Sequence, residues 1–311
     1  MPISRAPRAS RPALYLPDGW DSGWKAAKAA ASTTPAGVLA LGDSVTYATG
    51  STSPTTLGWF ALLRTSLRTR HGGYADLHAV YRDTGGTLTP YWAGTAGAPA
   101  QATGYGVASA YVGVGTGTLT YTAPSACTDL DILYHDRIAG TWAWSLDGGA
   151  QTGTVTTTGD LAVKRLTFRG LASSAHTVAC STQSATNVLA LVGAVHYTSL
   201  TTGLGFANVG VGALSTLSYL STAQVQLLGG WQSAGAPTGM GFPAKPALAF
   251  LGMGINDCAG TTLFGPQQHT FAWGRVIQAL RRGYPGCAIV LLSWNNPHRH
   301  FWRRGRRRGQ R

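Results

Sequence analysis

The fold is decided by residues 38–44, which read VLALGDS. Four apolar residues come first, and Gly, Asp and Ser favour turns, so the stretch predicts a short buried strand that ends in a tight turn. The next segment, residues 57–70, has apolar side chains at helical spacing, at positions 57, 60, 62, 63 and 67. Strand, loop and helix in this order begin an α/β unit.

The same pattern returns after residue 200. Residues 205–209 (GFANV), 247–252 (ALAFLG) and 288–293 (AIVLLS) predict strands, and residues 213–228 and 267–282 predict helices. Apolar strands that alternate with amphipathic helices indicate a parallel sheet covered on both faces. Such sheets bind ligands at the carboxyl ends of their strands, and the turns GDS, NVGVGA and GMGIND follow three of them.

The middle of the chain, residues 74–200, has a different pattern. Short runs rich in Thr, Val and aromatic residues are separated by Gly, Asp and Ser, which predicts an inserted antiparallel β-sandwich. Trp142 and Trp144 stand two apart and share a face of their strand, so core packing and stacking on a sugar both remain open. We interpret His176 and His196 as structural residues.

Charge is concentrated at one end of the chain. The 311 residues carry a net charge of +13, yet only 11% are charged and 44% are hydrophobic, which fits a folded protein of one or two domains. Residues 298–311 (HRHFWRRGRRRGQR) form a basic tail with seven Arg. No motif of a nucleic-acid-binding fold accompanies the tail, so we do not expect nucleic acid as a partner.

Several other classes of protein and site are not predicted. No apolar run is long enough to span a membrane, and residues 1–16 show no secretory signal, so no location is assigned. No Cys or His spacing matches a zinc site, and no cofactor is predicted. Cys127 and Cys180 fall in the same β-rich part, where a disulfide and two free thiols both remain open.

Three strand-end motifs together suggest ester chemistry. Ser44 stands on the turn after the first predicted strand, where a hydroxyl is presented at the edge of the sheet. Alone it would be an ordinary turn residue. The second motif, residues 208–213, offers backbone N–H groups, and the third offers the side-chain amide of Asn256. Ester hydrolysis needs such donors aimed at the developing oxyanion.

The three motifs in this order resemble the GDSL/SGNH hydrolase family of esterases and lipases. The resemblance covers residues 40–72 and 203–297 and implies a flavodoxin-like, three-layer α/β fold without a cofactor. It implies that Ser44 is the nucleophile and that Asn256 contributes its amide to the oxyanion hole. The second donor is the backbone N–H of Gly212, by residue identity, or of Ala213, by spacing.

The sequence departs from this family near its end. The family supplies its acid and base from a D-x-x-H block, whereas no Asp or Glu follows Asp257 here. After the fourth strand the histidines are His298 and His300, so His298 is the candidate base. Our hypothesis is that the coding sequence stops short of this block, and whether the chain is an active enzyme stays open.

The preferred interpretation is a serine esterase that cleaves acyl or acetyl esters, with carbohydrate as a candidate alcohol. The alternative is a binding or structural protein, such as a phage tail component, that keeps the fold but lacks the base. The insertion resembles the jelly-roll modules of carbohydrate-active SGNH esterases. The expected parts are an extension (1–35), a C-terminally truncated hydrolase domain (36–73 and 201–297), the inserted sandwich (74–200) and the tail (298–311).

Overall fold

The computed structural model describes residues 18–43, 46, 55–80, 88–94, 110–112, 117–136, 139–160, 162–182, 189–210, 244–252 and 266–292. Its α-helices are α1 (Ser22–Ala29), α2 (Trp59–His71) and α3 (Pro266–Gly283). Its strands are β1 (Ala36–Gly42), β2 (Gly73–Ala79), β3 (Trp92–Gly94), β4 (Ala110–Val112), β5 (Gly117–Thr122), β6 (Asp129–Asp136), β7 (Ala139–Leu146), β8 (Gln151–Thr158), β9 (Ala162–Phe168), β10 (Thr177–Thr182), β11 (Leu189–Tyr197), β12 (Leu204–Gly210), β13 (Pro246–Gly252) and β14 (Ala288–Leu291).

A large mixed sheet dominates the fold. Its strands follow the order β14-β13-β1-β12-β2-β11-β6-β9, and β4 also pairs with β11. The pairs from β14 to β2 are parallel, and those from β2 to β9 are antiparallel. The predicted α/β class is therefore confirmed, and the described residues form it as a large mixed sheet with few helices. The helix predicted over residues 213–228 lies outside the described residues.

Both faces of the parallel strands are buried, as their apolar sequences predict. All seven residues of β1 are buried. On one face, Leu39 and Leu41 pack in a core with α3, and on the other, Val38 and Ala40 pack in a core with Phe60 of α2. Among the described residues, no helix is long and apolar enough to cross a membrane.

A second sheet, ordered β3-β5-β10-β7-β8, shares a core with the antiparallel end of the large sheet. Trp142 is buried in this core, and the ring of Trp144 meets that of Phe168 edge-on, with centroids 5.0 Å apart. Core packing is therefore the correct interpretation of Trp142, and sugar stacking by that residue is wrong. Cys127 and Cys180 are buried free thiols.

The two predicted parts of the chain meet in a single strand. β2 pairs in parallel with β12, which belongs to the α/β part, and in antiparallel fashion with β11, which belongs to the predicted insertion. The expected boundary at residue 74 falls just inside β2. The large sheet therefore continues through this boundary without a break in its hydrogen bonding.

His176, which directly precedes β10, forms a hydrogen bond with the turn between β7 and β8. Its Nδ1 lies 2.6 Å from Asp147 Oδ2, and its Nε2 lies 2.7 Å from the carbonyl oxygen of Ala172. Burial opposes the charged ring, but these two acceptors outweigh burial and raise the pKa of His176. Hydrogen bonds from Thr177 and His176 likewise outweigh burial and lower the pKa of Asp147. The interpretation of His176 as a satisfied structural residue is confirmed.

We expect Asp147→Asn to lower the melting temperature more at about pH 5.5 than at about pH 8.5. The raised pKa of His176 means that its pairing stabilises the fold below the ordinary histidine pKa and is lost as pH rises through the folded-state value. The lowered pKa of Asp147 makes its contribution disappear only in acid. Asn also tolerates the positive φ of 48° at this position.

Thermal melts at the two pH values measure the effect. Asp160→Asn is the control, because that carboxylate pairs with the ammonium group of Lys164 and not with an imidazole. An Asp147→Asn effect of equal size at both pH values would show that ionisation of His176 does not contribute.

Candidate functional site

Three parallel strands end at the same level of the large sheet. In the register of the sheet, Gly42 at the end of β1 is opposite Gly210 of β12 on one side and Gly252 of β13 on the other. The three motifs singled out in the sequence begin at these strand ends. Their following residues therefore leave from one edge, the edge at which open α/β sheets bind ligands.

Hydrogen bonds join the three strand ends. Thr46 is buried, and its hydroxyl donates to the carbonyl oxygen of Gly252 at 2.8 Å. The side-chain amide of Asn208 donates to the carbonyl oxygen of Thr46 at 3.1 Å, and its Oδ1 accepts from the backbone N–H of Gly210 at 3.0 Å. The backbone N–H of Asp43 also donates to Gly252, at 3.2 Å. Asn208 is thus the side chain that ties the first motif to the second.

Only glycine fits at position 42, because the hydrogen-bonded groups lie very close to its Cα atom. A Cβ atom at this position would lie 2.0 Å from Thr46 Oγ1 and 2.2 Å from the carbonyl oxygen of Gly252. Both distances are far below van der Waals contact, so any side chain would push β1 and β13 apart. The Gly of the GDS turn therefore permits the hydrogen bonds described above.

The site residues predicted from the sequence, Ser44, Gly212, Ala213, Asn256 and His298, lie outside the described residues. Their roles stay predictions. The structure does describe residues that are close in the sequence to Ser44, Gly212 and Ala213. Ser44 follows Asp43 directly and precedes Thr46 by two positions, and Gly212 and Ala213 follow β12.

A cleft that is open to solvent lies between α2, β2 and β12. Asn208 lines it, so the cleft adjoins the joined strand ends. The other lining residues are Thr55, Phe60, Ala61, Arg64, Asp76, Leu77, His78, Ala79, Thr89, Pro90, Tyr91 and Phe206. This mixture of aromatic and polar side chains is typical of a small-molecule site.

Two arginines of α2 meet a buried carboxylate at the cleft. Arg64 and Arg68 are four residues apart and so lie on the same side of the helix. Arg68 Nη1 donates to Asp76 Oδ2 at 2.8 Å, and Arg64 Nη1 lies 3.5 Å from the same oxygen. Asp76 is only 3% exposed, so these guanidinium groups compensate for the burial of its charge.

Two histidines lie beside this carboxylate. His78 Nε2 is 3.0 Å from His196 Nδ1. Burial, the neighbouring imidazole and the two arginines hold the pKa of His78 well below its ordinary value. Burial also lowers the pKa of His196, although Asp76 opposes the shift. Both rings are therefore neutral at neutral pH, and one nitrogen of each keeps a lone pair.

The sequence analysis missed this group of residues. Asp76 and His78 alternate along β2, and that spacing places both side chains on one face of a strand. His196 is far away in the chain and enters the group because it lies opposite Asp76 on β11. The alternation was a local signal that could have been found, whereas the pairing of β2 with β11 was not visible in the sequence.

Comparisons with known proteins address the fold. Models of protein families give no match to the sequence, and curated proteins give none either. Among solved structures, the chain is similar to a peptidoglycan O-acetylesterase, with a TM-score of 0.57, 14% identity, and coverage of 88% of this chain and 70% of that chain. The chain shares the overall fold of this esterase, which is an SGNH hydrolase.

Two other SGNH-type neighbours have lower scores. A family two carbohydrate esterase from Cellvibrio japonicus has a TM-score of 0.31 at 13% identity and covers 75% of this chain and 85% of that one. A two-domain esterase active on acetylated mannans has a TM-score of 0.30 at 13% identity, with coverage of 41% and 38%. Of these three structures, only the peptidoglycan O-acetylesterase has a TM-score above 0.5, so it alone is evidence for the fold of this chain. The SGNH resemblance seen in the sequence is confirmed at that level.

Proposed function

We propose that the chain is a serine esterase of SGNH type that hydrolyses acyl or acetyl esters through an acyl-enzyme on Ser44. The observation that carries this proposal is the meeting of three parallel strand ends, joined through Thr46, Asn208 and Gly252, at the motifs that contain the predicted site residues. The SGNH fold supports the same assignment.

In the proposed reaction, the hydroxyl oxygen of Ser44 attacks the carbonyl carbon of the ester while its proton passes to a base. His298 is the residue assigned to that base. The oxyanion of the tetrahedral intermediate accepts hydrogen bonds from the Asn256 amide and from the backbone N–H of Gly212 or Ala213. The intermediate collapses, the alcohol leaves with the proton, and water hydrolyses the acyl-serine by the same route.

The proposed architecture is a three-layer hydrolase sheet with an inserted β-sandwich. It is supported by the cores on both faces of β1 and by the core that the five-stranded sheet shares with β6 and β11. Since the neighbour with the shared fold is a peptidoglycan O-acetylesterase, an acetylated sugar is the first natural substrate to examine. The cleft lined by Asn208 adjoins the joined strand ends and is the part of the described structure in which such a substrate would be sought.

A second candidate function is binding without hydrolysis. It is the alternative that the sequence left open, because residues 258–311 contain no D-x-x-H block. A protein of this kind would keep the fold and the oxyanion donors but would not activate Ser44.

Covalent trapping distinguishes the two functions. The chain is incubated with a fluorophosphonate, which phosphonylates activated serines, and then analysed by intact mass and peptide mapping. We expect one adduct, on the peptide that contains Ser44. An unmodified protein would contradict the serine esterase and support the binding function, whereas an adduct on another serine would contradict the role of Ser44.

A further inference from the structure

Three metal-ligating side chains share one face of the large sheet, where β2 pairs with β11. Asp76 and His196 are directly opposite each other in the antiparallel register, and His78 follows Asp76 by two residues on the same strand. Their nearest ligand atoms all lie within 4.8 Å of one another. The sheet therefore brings together a carboxylate and two imidazoles that are distant in the sequence.

The carboxylate of Asp76 is only half satisfied. Its Oδ2 accepts from Arg68, but its Oδ1 is buried and has no hydrogen-bond partner among the described residues. Asp76 is 3% exposed and His196 is 1% exposed, so bulk water does not solvate this oxygen. A buried carboxylate oxygen without a partner is unfavourable, and a cation bound beside it would supply the missing interaction.

We propose that Asp76, His78 and His196 bind a divalent transition-metal cation of the Zn²⁺ type in the wall of the cleft. The donors would be Asp76 Oδ1 and the facing nitrogens, His78 Nε2 and His196 Nδ1. Two imidazole nitrogens bound tetrahedrally to zinc stand about 3.3 Å apart. They are 3.0 Å apart here, and the three ligand atoms lie within 4.8 Å of one another, so binding the ion requires the two imidazole rings and the Asp76 carboxylate to turn toward it.

The surrounding charges select the class of metal. Arg64 and Arg68 place positive charge next to Asp76, which disfavours cations held mainly by charge. Magnesium and calcium prefer all-oxygen sites with several carboxylates, and this site offers one carboxylate and two imidazoles. Nitrogen donors of this kind favour zinc, nickel, copper and cobalt.

The cleft gives the ion a path to the site. Asp76 and His78 both line the cleft, and His196 is opposite Asp76 on the adjacent strand β11. Three protein ligands leave a further coordination position for water or another ligand. The bound ion would also link β2 to β11 through side chains, in addition to the backbone hydrogen bonds between these strands.

Zinc titration of the chelator-treated full-length chain, by isothermal calorimetry, tests the proposal. We expect one saturable site in the wild type. His196→Gln and His78→Gln should each weaken the zinc affinity by at least about 100-fold. Removing a residue that only hydrogen-bonds to a metal ligand weakens metal affinity by up to about 100-fold, and removing a ligand itself should cost no less. His71→Gln and His300→Gln are the controls, because His71 ends α2 and His300 belongs to the tail. Both should bind zinc as the wild type does.

Zinc binding that survives His196→Gln would assign the ion to other residues and overturn the proposal, as would no binding by the wild type. If the variants fail to fold by circular dichroism, zinc-edge X-ray absorption of the loaded wild type decides instead. Two imidazole ligands with oxygen neighbours are expected, and any other number of imidazoles overturns the site. No ester is present in either measurement, so the outcome does not depend on the proposed esterase activity.

Discussion

Ser44→Ala is expected to lower kcat/KM for p-nitrophenyl acetate by about 10³-fold or more. In the proposed mechanism this hydroxyl oxygen forms the acyl-enzyme, and the proposed oxyanion donors that remain would stabilise the intermediate but form no covalent bond to the substrate. Initial rates of p-nitrophenolate release, corrected for the buffer reaction, give the ratio. The change removes a single hydroxyl oxygen, so circular dichroism should show an unchanged fold.

A double-mutant cycle tests the base. If Ser44 and His298 act as one unit, Ser44→Ala combined with His298→Ala should lose no more activity than Ser44→Ala alone. Ser53→Ala, in the same part of the sequence, is the matched control and should retain the wild-type rate. Equal rates for the wild type and Ser44→Ala would mean that Ser44 is not the nucleophile, and the non-catalytic function would then be preferred.

Asp136→Ala is expected to lower the free energy of unfolding by about 3 to 5 kcal/mol. Asp136 is fully buried at the end of β6, and its carboxylate accepts from the backbone N–H groups of Thr158 and Gly159 and from the Lys164 ammonium group. Thr158 ends β8 in the other sheet, so this carboxylate holds the two sheets together. Alanine would leave two backbone donors without their acceptor. Urea denaturation measures the loss.

The same lysine provides the control. Asp160 pairs with Lys164 at 2.8 Å, but its side chain is 45% exposed, so Asp160→Ala should cost less than about 1 kcal/mol. Burial opposes ionisation of Asp136, yet its hydrogen bonds outweigh burial and lower its pKa to about 2. Its contribution is therefore present above the ordinary aspartate pKa and is lost as pH falls through about 2. Similar costs for the two variants would contradict this role of Asp136.

The sequence was most informative where a local pattern has a single structural solution. The apolar run at residues 38–41 predicted β1, and all of β1 is buried. The helix pattern over residues 57–70 predicted α2, which spans Trp59–His71. Buried parallel strands and helical periodicity are local signals, and they suffice to indicate an α/β fold.

The orientation of α2 was less predictable. Leu57 and Leu62, taken as apolar-face positions, are 57% and 54% exposed. Arg64 and Arg68 of the same helix face the buried carboxylate of Asp76. A buried acid on the neighbouring strand determines this arrangement, and its position depends on tertiary contacts that periodicity does not contain. The same reason explains why the group formed with His196 was missed.

The continuity of the large sheet limits how the protein can be divided. Because β2 is hydrogen-bonded to β11 and to β12, a construction that deletes residues 74–200 would remove nearly all of β2. β12 would then become an outer strand, with unpaired backbone groups along Leu204–Gly210. Exposed strand edges of this kind promote aggregation. The parallel part of the sheet thus depends on the β-rich part to cover its edge, and we expect a protein without the β-rich part to aggregate.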